Sequence, residues 1–497
     1  MSDDDGVALG EGDPVRSSAA SEETSSEAST GNPSVRRVGD WSAATLHGLA
    51  VEYDTPLYVV DRDRVRENCE RLRAAFPDAD VRYAVKAHTG RAVLETVREA
   101  GLDAECASAG EVDRALAAGF PGDRLHYTAV NPPARDLDYV VGVAEAEPGL
   151  TVTAGAVDTL DRLAERGYDG RVCIRVNPGV GAGHHEKVRT GGAPKFGVPY
   201  DRVARVVREA TERFDVVGIH AHAGSGIDAD QLDRHREFVS RMGDLARELV
   251  EPGESDAGPA DGDAGPADGD AENVDPVDLE YVDVGGGFGV PYRETEPPLD
   301  LPAVAEATRE ALGGVSRADG TGPLTLAVEP GRYAVADAGV LLTRVNTVKP
   351  TDGPTVAGVD AGMTDLLRPA MYDAYHPIRN LGGADGEPAP DDRETTPVTV
   401  AGPICETGDT FCNGRRLARP ARGDLLAVGI AGAYGYEMAN QYNSRPRPAE
   451  VALTGGDTLA DGDALTDGDA LTDGDARLVR RRETLADLTT VEREVDE

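Results

Sequence analysis

A lysine stands at the centre of RYAVKAHTG, residues 82–90, and its amine is the first group in the chain suited to covalent chemistry. Only four lysines are present, beside 46 arginines: Lys86, Lys187, Lys195 and Lys349. Burying an ammonium is costly, so a lysine kept at the end of an apolar strand needs a reason. An apolar setting lowers the pKa of an amine, which would let Lys86 form a Schiff base with a carbonyl cofactor. The alternative is a lysine that only extends its ammonium to solvent.

Three further motifs carry residues that suit such a cofactor. The turn DVGGGFG, with Gly286 and Gly287, lets backbone amides approach a phosphate, although the triplet alone is a weak signal. EPGRY supplies Glu329, placed to hydrogen-bond a pyridine nitrogen, which enzymes that use pyridoxal 5'-phosphate need if the ring is to accept electrons. HAHAGSG supplies His222, which could stack on the ring, and Ser225, which could reach the phosphate. The combination predicts pyridoxal 5'-phosphate as the cofactor.

The elements that must position these residues alternate between strands and helices. Short β-rich runs begin near residues 81, 102, 124, 150, 171, 216, 279 and 324, with amphipathic segments such as RAVLETVREAG between them. Eight strands, each followed by a helix, are typical of a (β/α)8 TIM barrel, an α/β fold. Lys86, Ser108, Asn177, His222 and Glu329 all follow strands, where such barrels carry their catalytic residues. The pattern therefore predicts one site at this face.

After residue 330 the pattern changes to spaced strands and turns, such as GVLLTRVNTVK and DLLAVGIAGAY. This predicts a mainly β domain over residues 331–497. TPLYVVD reads as a further strand of that domain, supplied by an N-terminal segment, residues 39–61. The barrel, which would bind the cofactor, is then expected over residues 62–330.

Three segments are acidic and of low complexity. Residues 1–38 are rich in Ser, Glu and Asp and are predicted to be a disordered tail, because they cannot bury enough apolar surface to offset the entropy of ordering. Repeats of GPADGDA and DGDALT predict acidic insertions at 253–276 and 455–476. Aspartates in tandem suggest calcium loops, but the terminal Glu of an EF-hand is missing, so surface loops are expected.

The composition excludes several classes of partner. Ninety acidic against fifty basic residues give a formal net charge of −40, which repels nucleic acid and anionic membrane surfaces. Abundant carboxylates, with arginine replacing lysine, are typical of a halophilic protein, because salt near 1 M reduces the screening length to about 3 Å. A GC-rich genome would also favour arginine.

The chain shows no sign of a membrane or secreted protein. No apolar run approaches the roughly 18 residues of a membrane span, and the acidic N-terminus is unlike a signal peptide. A cytoplasmic location is therefore predicted. The cysteines are odd in number, scattered and without a CxxC pair: Cys69, Cys106, Cys173, Cys405 and Cys412. They indicate neither a disulfide framework nor a structural metal.

Several long motifs resemble those of the diaminopimelate decarboxylase family, whose members are fold-type III enzymes that use pyridoxal phosphate. They are YAVKA, SAGE, RVNPGV with KFGV, HAHAGSG, DVGGGFG, EPGRY, RPAMYDAYH, GPICETGD and GAYGYEMANQYNSRPRP. The resemblance runs from about residue 40 to 485, apart from the acidic insertions. It implies decarboxylation of meso-2,6-diaminopimelate to L-lysine and CO2, the last step of lysine biosynthesis. It also implies a homodimer with active sites shared between one barrel and the partner's β domain.

The resemblance assigns roles to the cofactor and substrate residues. Lys86 resembles the cofactor lysine, and Gly287 belongs to the cofactor site with the four residues of EPGR: Glu329, Pro330, Gly331 and Arg332. Arg332, Arg368 and Tyr372 resemble residues that hold substrate carboxylates, a task that suits arginine's bidentate fork. Tyr434 resembles a residue shared between phosphate and substrate.

The same resemblance assigns the proton donor and the specificity group to the second domain. Cys405 resembles the acid that returns a proton to Cα, and Glu406 the group that recognises the substrate's distal ammonium. Diaminopimelate has a second carboxylate that ornithine and arginine lack, and leaving it unpaired in a buried site would cost on the order of several kcal/mol. Arg368 is available to pair with it. Glu329 favours decarboxylation, since the related alanine racemases place an arginine opposite the pyridine nitrogen.

Two other functions are weighed against this one. A related decarboxylase of ornithine, arginine or carboxynorspermidine is the first; ornithine decarboxylases follow the GPxC cysteine with Asp, where this chain has Glu406. A non-catalytic cofactor carrier or inhibitor that has kept the barrel is the second, and it predicts the loss of Lys86, Glu329 or Cys405, all of which are present.

A few residues depart from the family's pattern. His88 replaces the usual asparagine, Ala109 replaces a glycine, and Glu437 replaces a small residue; the sequence gives no reason for Glu437. His184, His185 and Glu186 lie in a segment that is mobile in the family, and no metal is predicted there.

Overall fold

The computed structural model describes residues 34–180, 195–225, 227, 231–254, 273–383, 392–455 and 476–492. The helix α1 (Ala43–Tyr53) begins after Ser42, whose hydroxyl accepts a hydrogen bond from the backbone of Thr45. The strand β1 (Leu57–Asp61) follows and is buried along its whole length. Arg36, which was predicted to lie in the disordered tail, is buried and pairs with Asp61, so the ordered chain begins before residue 39.

The next strands form the closed, eight-stranded parallel barrel that the sequence predicted. They are β2 (Ala79–Ala84), β3 (Asp103–Cys106), β4 (Leu125–Tyr127), β5 (Thr151–Ala154), β6 (Arg171–Asn177), β8 (Asp215–His220), β11 (Tyr281–Asp283) and β12 (Thr325–Val328). Each pairs with its neighbour, β12 returns to β2, and β5 pairs with β6, which closes the ring. The strands read as apolar runs because both of their faces are covered.

Three short strands accompany the barrel. β7 (Val198–Pro199) extends the sheet beside β6, and β9 (Gly253–Glu254) pairs with β10 (Asn273–Val274). The two partners of that pair stand on either side of residues 255–272, so most of the predicted insertion 253–276 lies outside the described residues. The same is true of residues 1–33, of His184, His185 and Glu186, and of 456–475 in the second predicted insertion.

The helices pack around the barrel with one apolar face inward. They are α2 (Arg62–Ala75), α3 (Arg91–Glu99), α4 (Ala109–Ala117), α5 (Ala134–Ala146), α6 (Val157–Ala164), α7 (Tyr200–Thr211), α8 (Leu232–Val250) and α9 (Leu301–Leu312). In α7, for example, Val203, Val206, Val207 and Ala210 are buried, which is the spacing of one helical face. Among the described residues, no helix is long and apolar enough to cross a membrane.

The second domain is mainly β, as predicted. After α10 (Arg332–Val335) it contains β13 (Gly339–Lys349), β14 (Thr355–Val359), α11 (Arg368–Tyr372), β15 (Ile378–Gly382), β16 (Thr395–Ala401), β17 (Thr410–Ala418), β18 (Leu425–Val428), β19 (Ala449–Leu453) and β20 (Ala476–Arg480). The strand order is β17-β16-β14-β13-β1-β19-β20, with β15 and β18 beside β13. β1 therefore lies inside this sheet, although it precedes the barrel in the chain. β15 and β17 were not predicted.

Candidate functional site

Lys86 lies at the barrel mouth, directly after β2. The strand ends at Ala84, and a 3-10 turn over Val85–Ala87 projects the lysine side chain, which is 40% exposed. Its Nζ donates a hydrogen bond to Glu105 Oε2 on β3, where Glu105 is the register partner of Ala84. Glu105 is almost completely buried and also accepts from the Thr128 hydroxyl. The sequence had not identified this carboxylate.

Glu105 reverses the prediction made for the lysine amine. Burial does lower the pKa of Lys86, but the neighbouring carboxylates of Glu105 and Glu329 raise it by more, and the pKa lies above the usual value for lysine. The prediction of a lowered pKa was therefore wrong. An apolar sequence around Lys86 says nothing of a charge that arrives from the adjacent strand.

The glycine-rich turn after β11 passes unusually close to the rest of the barrel mouth. Gly285 and Gly287 have φ of +70° and +101°, in the left-handed region that favours glycine. A Cβ on Gly286 would lie 1.9 Å from the carbonyl oxygen of Glu329, so only glycine fits. The Gly286 amide donates to His222 Nδ1 at 3.2 Å, which fixes that ring beside the turn. Burial holds the pKa of His222 well below its usual value, so the ring is neutral.

Glu329 lies at the barrel mouth, directly after β12. His220 Nε2 lies 3.2 Å from its Oε2, whereas its buried Oε1 has no hydrogen-bond partner among the described residues. Burial and the charge of Glu105 raise the pKa of Glu329 to about 7. A buried carboxylate oxygen without a hydrogen-bond donor destabilises the fold unless a ligand donates to it. A protonated pyridine nitrogen would be such a donor.

Glu329 belongs to a small buried cluster of ionisable side chains. His220, Asp283 and Glu329 each place a ligand atom within 4.8 Å of the others. Asp283 accepts from Arg82 at 2.7 Å and from the Gly285 amide at 2.8 Å, so a guanidinium already compensates its charge. Burial lowers the pKa of His220 to about 3, which makes it a neutral support for Glu329.

The EPGR segment continues from Glu329 along the same face. The Pro330 carbonyl accepts from the Ala84 amide at 3.1 Å, and a Cβ on Gly331 would lie 3.0 Å from the side chains of Ala84 and Ala87. These contacts bind the segment to the turn that carries Lys86.

Two arginines converge on one tyrosine hydroxyl beside this segment. Arg332 Nη1 and Arg368 Nη1 donate to Tyr292 Oη at 2.7 and 3.1 Å. Arg368 also contacts His376 Nε2 at 2.7 Å, and His376 Nδ1 is held by the Gly429 carbonyl at 3.0 Å. Burial raises the pKa of Tyr292, but the two guanidiniums lower it by more. Tyr292 was not predicted; the pair of arginines was.

Three more predicted residues lie around Arg332. Its Nη2 donates to Ser225 Oγ at 3.2 Å, and its guanidinium lies 4.9 Å from the centre of the Tyr434 ring. Tyr434 has φ of +56°, and its amide donates to the Ala87 carbonyl at 2.8 Å, next to Lys86. Tyr372 is the last residue of α11, the helix that Arg368 begins.

Cys405 and Glu406 do not join this group. Both are exposed; Cys405 Sγ accepts from Asn443 Nδ2 at 3.3 Å, and Glu406 accepts from the Tyr442 hydroxyl. In the part of the chain that the structure describes, neither side chain contacts Lys86 or Glu329. Ser108 also has a local role, because its hydroxyl caps α4 through the amide of Glu111.

The comparisons with known proteins agree with this geometry. The family described as "Pyridoxal-dependent decarboxylase, pyridoxal binding domain" matches residues 62–253 and 271–336. The diaminopimelate decarboxylase of Methanothermobacter thermautotrophicus is 39% identical over 449 residues, covering 88% of this chain and 92% of that protein. The Escherichia coli enzyme is 35% identical, covering 91% and 97%. A structure of the Helicobacter pylori enzyme, complexed with L-lysine, aligns with a TM-score of 0.72 at 29% identity, covering 89% of this chain and 98% of that one. On these grounds the chain belongs to the diaminopimelate decarboxylase family of pyridoxal-phosphate-dependent enzymes.

Proposed function

We propose that this protein decarboxylates meso-2,6-diaminopimelate to L-lysine and CO2, the last step of lysine biosynthesis. The observation that carries the choice of substrate is the pair of guanidiniums, Arg332 and Arg368, held on Tyr292 at the barrel mouth. Two cations this close are stabilised by an anionic ligand, and a distal carboxylate has the planar shape that fits them. Ornithine and arginine have no such carboxylate. The H. pylori relative was solved with L-lysine, the product of the proposed reaction.

Pyridoxal 5'-phosphate fits the residues that surround Lys86. Lys86 would anchor the cofactor, the Gly287 amide would face its phosphate with Ser225 and Tyr434, and His222, held by the Gly286 amide, would lie against the ring. Glu329 Oε1, which has no hydrogen-bond partner among the described residues, would accept from the pyridine nitrogen. When bound, the cofactor supplies an electron sink for the pair left by the departing carboxylate. Glu329 holds the proton at the pyridine nitrogen, and the neutral His220 keeps the carboxylate in place.

Substrate binding is assigned to the groups beyond the cofactor. Arg332 and Arg368, with Tyr372 beside them, would orient the substrate so that the leaving carboxylate faces the barrel mouth. Because Glu105 keeps Lys86 as an ammonium, a proton must leave Nζ before the amine can attack a carbonyl, and the hydrogen bond from Nζ to Glu105 opposes that loss. The residue pair Lys86 and Glu105 therefore controls the rate at which the apoenzyme binds the cofactor.

The remaining assignments require a homodimer. Cys405, as the acid that protonates Cα, and Glu406, as the group that binds the distal ammonium, are proposed to serve the active site of the partner subunit. Their exposure and their separation from Lys86 within one chain support this arrangement. The charge of −40 supports a cytoplasm with concentrated salt as the setting.

The substrate proposal is tested by measuring CO2 release from meso-diaminopimelate, ornithine and arginine in concentrated KCl. We expect release from meso-diaminopimelate with L-lysine as the second product. Activity on ornithine or arginine alone would contradict the proposal.

The shared site is tested by mixing two inactive variants, Lys86→Ala and Cys405→Ala. Random exchange of subunits makes half of the dimers mixed, and each mixed dimer regains one intact site, so activity should return to about a quarter of the wild-type value. A mixture that exchanges subunits but stays inactive would place Cys405 in the same chain's site or outside any site.

A further inference from the structure

His88 and Glu437, the two departures near Lys86 and Tyr434, belong to one buried polar network. His88 Nε2 lies 2.7 Å from Glu450 Oε1 on β19, and the Gly90 amide donates to His88 Nδ1 at 3.1 Å. With Nδ1 accepting, the ring proton lies on Nε2 and is donated to Glu450. His88 is 3% exposed and Glu450 1%, so neither group reaches bulk water.

The second half of the network is centred on Arg480, in the last strand. Arg480 Nη2 donates to Glu437 Oε1 at 2.9 Å and to Thr89 Oγ1 at 3.2 Å, and its Nε lies 3.4 Å from Glu450 Oε2. Thr89 Oγ1 donates in turn to Glu437 Oε2 at 2.7 Å. One guanidinium therefore links the two carboxylates to the segment that follows Lys86.

The network joins the two segments that carry proposed cofactor residues. Lys86 is two residues before His88, and Tyr434 is three residues before Glu437. The Tyr434 amide also donates to the Ala87 carbonyl, so the two segments touch directly. A Cβ on Gly90 would lie 2.7 Å from the His88 ring and 3.3 Å from Arg480, which shows how tightly the segment is packed against the network.

We propose that His88, Glu437, Glu450 and Arg480 act as positioning residues, which hold Lys86 and Tyr434 in the geometry that binds the cofactor. The inference rests on the proposed function. It assigns to β19 and β20 a part in cofactor affinity, although neither strand contributes a residue to the site. The physical reason is preorganisation: segments that are ordered before binding lose less conformational freedom when the cofactor arrives.

Two substitutions of His88 separate its two hydrogen bonds. In His88→Asn the amide oxygen can accept from Gly90 in place of Nδ1, but the side chain is too short to reach Glu450. In His88→Gln the amide nitrogen can donate to Glu450 in place of Nε2. We expect His88→Asn and Arg480→Met to raise the Kd of pyridoxal phosphate for the full-length apoenzyme about tenfold, which is about 1.4 kcal/mol. His88→Gln should stay within about threefold of wild type.

The matched control is His235→Asn, because His235 is equally buried and bonds Thr308 at 2.7 Å between α8 and α9, away from the mouth. It should lower the Tm of the apoenzyme and leave the Kd unchanged. The Kd is measured by fluorescence titration and the Tm by thermal unfolding.

A wild-type apoenzyme that binds no pyridoxal phosphate would refute the proposed function itself. Tight wild-type binding, with the same Kd in His88→Asn and Arg480→Met, would refute only the network. The network would also be refuted if the Kd rose in His235→Asn as much as in His88→Asn for the same fall in Tm.

Discussion

Replacing Glu105 by glutamine should make Lys86 a better nucleophile in the apoenzyme. Glu105 is the hydrogen-bond partner of Nζ and the carboxylate that contributes most to raising the pKa of Lys86. Glutamine keeps the size of the side chain and an oxygen that can accept from Thr128, but it removes the charge. Burial then lowers the pKa of Lys86 against the smaller opposing effects of Glu329 and Tyr434. The pKa should therefore fall.

The size of this fall in pKa depends on how exposed the Lys86 side chain is. A hydrogen bond to a charged group is worth about 1.5–3 kcal/mol. Because the Lys86 side chain is 40% exposed, solvent screens the interaction and the lower end applies. About 1.4 kcal/mol is a tenfold change in proton affinity. At neutral pH, far below the pKa of the amine, the unprotonated fraction of Lys86 should rise about tenfold.

The assay is the rate at which apoenzyme takes up pyridoxal phosphate, followed by stopped-flow absorbance between pH 6 and 9. Glu105→Gln should react about tenfold faster than wild type at each pH, since the reactive form is the free amine. The control is Glu111→Gln: Glu111 is a nearby carboxyl whose pKa burial and Glu105 raise to about 7, and its Oε2 accepts from the Ala107 amide instead of from Lys86. An uptake rate equal to or below wild type, in a variant with unchanged Tm, would show that Glu105 does not control the protonation of Lys86.

Three further predictions concern single groups of the same region. Glu329→Gln should retain the cofactor while kcat falls about 10²–10³-fold, as for the loss of one preorganised charge at a reacting centre; a kcat within threefold of wild type would contradict its role. Tyr292→Phe should raise KM for meso-diaminopimelate about tenfold with a smaller change in kcat, because both guanidiniums lose their shared acceptor; steady-state kinetics decide this. Burial raises the pKa of Glu437, but Arg480, His88 and Thr89 lower it by more, to about 2. This group thus stabilises the fold above pH ~4.5, by about 3 kcal/mol, and the contribution is lost as pH falls toward 2. Glu437→Gln should remove that slope in the free energy of unfolding, and an unchanged slope would refute the assignment.

The barrel could be predicted because its strands are buried on both faces and therefore read as short apolar runs. The β domain was predicted less completely, and the two missing strands show why. β15, with the sequence IRNLG, carries a polar Asn380 and a Gly382 at which the register shifts. β17, with the sequence TFCNGRRLA, is half exposed and interrupted by Gly414. Neither run is apolar enough to be read as a strand. Pairing with a neighbouring strand stabilises each of them: β15 with β18, and β17 with β16, which directly precedes it.

The site residues that could be predicted are those that lie in a recognisable motif at the end of a strand. Lys86, His222 and Glu329 each sit in such a motif, and the structure brings them together. Glu105 and Tyr292 were missed for different reasons. Glu105 sits inside a run that was read as an apolar strand, although its position at the carboxyl end of β3 was a usable signal. Tyr292 follows the glycine turn by five residues and belongs to no strand or helix, so only the folded chain shows that it joins two arginines.

The arrangement of charge at the mouth also resolves an apparent conflict in the composition. A chain of net charge −40 should repel an anionic cofactor and a dicarboxylate substrate, yet it is proposed to bind both. In concentrated salt, charges more than about 3 Å apart at the surface are screened, so neither the repulsion nor any long-range attraction operates. Recognition must then come from groups withdrawn from solvent, where screening is weak. Arg368 is 5% exposed, and Arg332 stacks on Tyr434. The acidic surface and the arginine-lined mouth are therefore compatible, because they act over different distances.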